Sequence, residues 1–177
     1  QNKNIIIAEK TLLFLSKNSF EKLTVSKILS IKKNTSIKNK NDLLININRY
    51  FDFLLKKKLS FLEESSKKDM LFEILMARLD ILNIYRKSIK NIFKAITSRP
   101  YEFLKLIPSF IESIILIATL SNINVSGLQG TAKIKTIFVL YLLIIFTWTK
   151  DETETLEKTM TTLDKYLNKI QKFVDLF

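Results

Sequence analysis

Along residues 4–17 the apolar positions Ile6, Ile7, Leu12, Leu13 and Leu15 fall at near-helical spacing, and Asn18-Ser19 closes the segment. Thr24 then stands as the N-cap of a short helix over Val25-Ser26-Lys27-Ile28-Leu29. Residues 31–41 are polar and basic around a lone apolar Ile37, a pattern that predicts no amphipathic helix of useful length. From Asp42 onward, Leu43, Leu44, Ile47, Phe51, Leu54 and Leu55 form one stripe, which predicts a long helix to about Leu62. Residues 63–68 form the connection. The next helix, over 70–85, carries Leu71, Ile74, Leu75, Arg78, Ile81 and Leu82 on one side. Another covers 86–97 and stops at Ser98-Arg99-Pro100.

Residues 101–120 are apolar on most sides, and Pro108 inside them predicts a break or kink near Ile107, because an interior proline costs a helix about 3 kcal/mol. A loop is expected over 121–130, and residues 132–148 are expected to form the most buried helix. Lys150-Asp151-Glu152 is the turn into the last helix. There Leu156, Met160, Leu163, Leu167, Ile170 and Val174 alternate steps of four and three, a heptad seam. Thr159, Tyr166 and Phe173 make a second ridge beside it. Two uses fit this face: a dimer interface, or a wide face wholly buried within one chain. The dimer is the favoured expectation.

Eight helical segments and no strand pattern give an all-α fold class, with a small N-terminal head and a larger helical body ending in a C-terminal dimerisation hairpin. Only two glycines and two prolines occur in 177 residues, which argues against sheets with many tight turns. Gly127 and Gly130 sit together, so no glycine-rich phosphate loop is expected elsewhere. Neither Cys nor His occurs. This removes disulfides, thiolate or imidazole metal sites, and nucleophilic schemes that need a histidine base. No cofactor or metal is expected, and no enzyme chemistry. Glu63-Glu64 and Asp151-Glu152 read as solvated or capping carboxylates rather than an acid–base pair. The longest uncharged apolar run, Thr136–Thr149, has 14 residues. A membrane span takes about 20, so no transmembrane segment is expected, and no secretory signal is expected at the start of the chain. A cytoplasmic location is the expectation.

The formal charge of +12 is uneven: residues 1–60 hold 13 basic and 4 acidic side chains, an excess of 9, against an excess of 3 in residues 61–177. A basic head on a near-neutral body is the footprint of a nucleic-acid or anionic-membrane contact. A solvated lysine surface gives the same count.

Phe20-Glu21-Lys22-Leu23-Thr24-Val25-Ser26-Lys27-Ile28 resembles the opening of the helix-turn-helix of TetR-type transcriptional regulators, and Lys40-Asn41-Asp42-Leu43-Leu44 resembles the start of that family's fourth helix. Leu71–Asp80, Trp148–Glu152, Lys158-Thr159-Met160 and Leu163-Asp164 look like the body of an α-proteobacterial TetR-like branch. That branch borders the lipid-binding accessory proteins of ubiquinone biosynthesis. The resemblance implies a helix-turn-helix head over residues 1–46 and a ligand-binding and dimerisation body over 47–177. One departure stands out. Lys40 follows Ile28 by twelve positions, too few for the family's turn glycine and recognition helix.

On this resemblance Lys27, Lys32, Lys33, Lys38 and Lys40 are the candidate DNA contacts, able to hold phosphates without reading bases. A solvated basic loop is the alternative for the cluster. Phe93, Tyr101, Phe103, Phe110, Tyr141 and Trp148, with Met76 and Ile114, are the candidate lining of a pocket for an apolar molecule. Filling the core is the plain alternative for each. The expected function is a homodimeric regulator whose body senses an apolar or amphipathic small molecule. The runner-up is a protein of the same fold that binds a lipid or quinone-like molecule and no longer reads DNA.

Overall fold

The computed structural model describes residues 3–29, 36–59 and 65–173, with the side chains of residues 102, 103, 172 and 173 outside the description. The described residues form helices joined by turns and short loops and contain no strand: α1 (Lys3–Lys17), a 3-10 turn (Phe20–Lys22), α2 (Val25–Ile28), α3 (Lys40–Lys58), α4 (Lys67–Ile84), α5 (Arg86–Ser98), α6 (Pro100–Leu120), α7 (Gly127–Lys150) and α8 (Glu157–Phe173). The all-α class follows directly.

Several boundaries are set by side chains that complete a helix end. Asn39 Oδ1 accepts from the Asp42 backbone N–H at 3.1 Å, while Asp42 Oδ2 accepts from the N–H groups of Asn39 and Lys38. This reciprocal cap starts α3 at Lys40, ahead of the expected Asp42. Ser66 and Asp69 repeat the device: the Asp69 N–H donates to Ser66 Oγ, whose hydroxyl donates to Asp69 Oδ2. Helix α4 therefore begins at Lys67, inside what the sequence suggested was a connection. Thr24 does occupy the position before α2, but its hydroxyl pairs with Ser26 Oγ and makes no cap bond.

The chain divides into two compact units. The first comprises Gln1–Leu54 and Ile81–Phe110, the second Leu55–Asp80 and Ile111–Phe177. The expected head, residues 1–46, thus falls in a unit that also takes in residues 81–110. In that first unit α1 packs along α5. Ser88 Oγ donates to the Leu12 carbonyl at 2.7 Å, and Asn91 Nδ2 to the carbonyls of Leu15 and Asn18. The Asn91 bonds satisfy carbonyls at the end of α1 that no donor within the helix reaches, whereas the Leu12 carbonyl, four residues before Ser16 of the same helix, gains a second donor in Ser88. Leu12, Leu15, Phe20, Leu23, Leu43 and Phe51 fill the core.

Helix α6 runs through Pro108 without the break that was one of the two outcomes expected near Ile107. Pro108 is exposed, as is Leu104 one turn before it, so the proline that donates no N–H to the preceding turn stands at a solvent-facing position of the helix. The helix ends in a left-handed Asn122, φ 56°. Ile123 N–H reaches back to the Ala118 carbonyl and Asn122 N–H to Thr119, the two bonds of a Schellman stop.

In the second unit α7 and α8 form a hairpin. Leu71, Ile74, Leu75 and Leu79 of α4 are fully buried there, as are Ile114 and Ile117 of α6. Arg78 is fully buried as well, its Nε donating to the Tyr141 hydroxyl at 3.4 Å. Helix α7 starts at Gly127, five residues before the expected Ala132. It is also not the most buried helix. By length and composition it is apolar enough to cross a membrane, yet only 28% of its most apolar stretch is buried. Ile137, Leu140, Tyr141, Ile144 and Trp148 face inward, while Val139, Leu143 and Phe146 stand 42–54% exposed. A helix apolar on every side has only one side covered by its own unit.

Candidate functional site

The basic head divides its lysines between structure and surface. Lys40 Nζ donates to the Glu21 carbonyl at 3.0 Å and to Phe20 at 3.4 Å, and sits 5.2 Å from the centre of the Phe20 ring. It closes the C-terminal end of the 3-10 turn, where a cation offsets the partial negative charge of unbonded carbonyls. Lys27 Nζ donates to the Lys22 carbonyl at 2.9 Å and lies 5.7 Å from the Phe14 ring. These two candidates hold α1, the turn and the start of α3 together. Lys38 differs: its backbone N–H joins the α3 cap, and its exposed ammonium has no partner among the described residues. Lys32 and Lys33 lie outside the described residues. Residues 36–39 are non-helical, so no recognition helix lies among the described residues between α2 and α3.

The candidate ligand residues are divided between the two units. Phe93, Tyr101 and Phe110 belong to the first unit, Met76, Ile114, Tyr141 and Trp148 to the second. Phe103 has its side chain outside the description. Tyr101 is 78% exposed, whereas Ile114, Tyr141 and Trp148 are core residues at 0–2%. Met76, Phe93 and Phe110 are half-buried.

Two clefts are bordered by other residues. In the first unit a cleft of about 360 Å³ is bordered by Asn4, Ile37, Asn46, Arg49 and Phe53. A second, of about 500 Å³, is bordered by Glu9, Leu13, Ile84, Tyr85, Arg86 and Lys87. Tyr50 forms a polar contact behind this wall: its hydroxyl donates to Glu9 Oε1 at 3.0 Å and lies 3.2 Å from the Tyr85 hydroxyl. Burial, with these two hydrogen bonds, pushes the Tyr50 hydroxyl above its ordinary range, so it stays protonated.

The heptad row of α8 is placed inside the second unit. Leu156, Leu163 and Leu167 are 0–2% exposed, Ile170 is half-buried, and Met160 is 41% exposed. Val174 is outside the described residues. Of the second ridge, Thr159 is buried and Tyr166 half-buried. The row fills its own unit because a two-helix hairpin must bury one face of α8 before anything else can.

Two features escaped the sequence reading. The outward row Val139, Leu143 and Phe146 was legible as steps of four and three, but α7 is apolar on all faces and periodicity could not single out the uncovered one. Asp151, read as a turn residue and a solvated or capping carboxylate, is a cap whose burial the sequence did not reveal: it is 1% exposed and accepts four hydrogen bonds from Thr153 and Thr159. No protein-family model matches this chain, and no curated protein matches it.

Proposed function

We propose that the chain is a TetR-like transcriptional regulator that acts in the cytoplasm as a homodimer and responds to an apolar or amphipathic small molecule. The observation that carries this reading is the excess of nine positive charges over residues 1–60. Lys27 and Lys40 brace the short helices that display it. An ammonium such as that of Lys38, tied to nothing among the described residues, is what a phosphate contact requires. The exposed row Val139, Leu143 and Phe146 supports a second copy as partner, since a contiguous apolar strip on a long helix gains by being covered.

A second reading rests on one specific observation. Ile28 and Lys40 are twelve positions apart, and reading bases needs side chains held in the groove by a rigid element. A protein of this fold that binds a lipid or quinone-like molecule needs no such element.

The deciding experiment is fluorescence anisotropy with DNA from upstream of the protein's own gene, against a scrambled duplex of equal length, at several salt concentrations. The regulator reading expects a preference of about a thousandfold or more for the native duplex. Equal, weak and steeply salt-dependent binding to both duplexes would overturn it in favour of the second reading.

A further inference from the structure

We propose that the cleft of about 500 Å³ between α1 and the α4–α5 junction is a binding site for a single-chain amphiphile with an anionic head. Two large apolar side chains border it from different elements, Leu13 of α1 at 59% exposure and Ile84 at the end of α4 at 76%. Each leaves apolar surface in water that a hydrocarbon chain would cover. The volume lies within the range of small-molecule pockets, about 300–1,000 Å³. A docked helix, about 10 Å across with its side chains, calls for a longer groove.

The charge at the mouth selects the head group. Glu9, Arg86 and Lys87 border the cleft, leaving one positive charge in excess. Glu9 already accepts the Tyr50 hydroxyl, and Arg86 Nη1 donates to Asn83 Oδ1 at 3.0 Å. Lys87 is exposed, with no partner for its ammonium among the described residues. A carboxylate reaching Lys87 while its chain lies over Leu13 and Ile84 matches both halves of the surface. The site is formed by residues of the first unit alone, and it stands whether or not the protein binds DNA. Its wall also touches the basic head: Leu13 adjoins Phe14 in α1, and the Phe14 ring lies under the Lys27 ammonium.

The test is isothermal titration calorimetry of the full chain with laurate below its micellar concentration, beside the uncharged glycerol monoester of the same chain length. Laurate is expected to bind one per chain. Ile84→Ser and Leu13→Ser should each weaken it by about tenfold, the effect of exposing one large apolar contact. Lys87→Glu should weaken laurate severalfold and leave the neutral ester unchanged. Because Lys87 is a surface residue, that variant keeps the test open if either serine variant melts. No binding to the wild-type chain overturns the proposal. So does unchanged binding in all three variants, above all if Trp148 emission of the second unit responds to laurate. Equal effects of Lys87→Glu on both ligands would remove the anionic selectivity. A change of oligomeric state in Ile84→Ser without laurate binding would assign the cleft to a second copy instead.

Discussion

Asp151 Oδ2 accepts both the backbone N–H of Thr159, at 2.8 Å, and its hydroxyl, at 2.7 Å. The other oxygen accepts the same two groups of Thr153, at 3.1 and 2.6 Å. One carboxylate thus closes the turn between α7 and α8 and satisfies an N–H in the first turn of α8, where negative charge is also favoured by the helix dipole. The turn carries strain as well: Leu156 adopts φ 56°, a conformation costing an L-residue about 1 kcal/mol. Its buried side chain holds it there.

Burial by itself would raise the Asp151 pKa, but the hydrogen bonds from Thr153 and Thr159 outweigh it and bring the carboxyl from 3.8 to about 2. The folded value lies below the unfolded one, so the stabilisation is complete above the unfolded pKa and fades as pH falls toward the folded one. Its size is about 2 kcal/mol. Urea denaturation of the wild type and Asp151→Asn should show a gap at pH 7 that narrows steadily between about pH 4 and pH 2. A gap independent of pH would mean that the charge is not what the four donors recognise.

Lys40 and Lys38 lie two residues apart and should behave oppositely. Lys40→Ala removes the bonds to the Phe20 and Glu21 carbonyls and should cost about 1 kcal/mol of stability. Lys38→Ala should leave the melting temperature unchanged and reduce the salt slope of DNA binding by about one. Thermal melts and anisotropy on both variants check this, and a Lys38→Ala variant with an unaltered slope would remove that residue from the interface.

The leucines of α8 and the exposed row of α7 make separable predictions. Leu163 and Leu167 are fully buried, so replacing each with alanine should cost about 2–5 kcal/mol. Glutamate at both should unfold the second unit rather than release a soluble monomer. Val139→Lys with Leu143→Lys should instead yield a folded monomer. Sedimentation velocity with circular dichroism separates the outcomes, and a dimer persisting in the lysine variant would clear α7 of the role.

Gly127 and Gly130 begin α7 for different reasons. Gly127 has φ 67° and open space where a Cβ would stand, so Gly127→Ala should cost about 1 kcal/mol through backbone strain alone. A Cβ at Gly130 would fall 2.0 Å from the Val125 carbonyl carbon. Backbone must move to admit it, and Gly130→Ala should be the more damaging by about 2 kcal/mol or more, in the manner of overpacked cores. Equal melting temperatures for the two variants would contradict the close approach.

The helices themselves were legible because each buries a stripe at 3.6-residue spacing, and residues such as Leu12, Leu71, Ile74 and Leu163 occupy the inward positions that spacing assigns them. The helix starts at Lys40 and Lys67 were missed by two or three residues. The caps there depend on reciprocal bonds, Asn39 with Asp42 and Ser66 with Asp69, which carry no hydrophobic signal. Lys40 looked like a phosphate ligand because its charge is visible in the sequence, whereas the carbonyls it caps twenty positions away are not.

By itself, then, the sequence determined the all-α class, the order of helices, and the concentration of positive charge in the first 60 residues. These are local or additive properties, set by side-chain periodicity and composition. Tertiary structure decided which lysines are tied to carbonyls, which face of α7 is uncovered, and that Leu13 and Ile84 border one cleft. It also decided that Asp151 is a buried cap. Each of these depends on groups brought together from separate helices, and burial and hydrogen bonding between such groups exist only once the chain has packed.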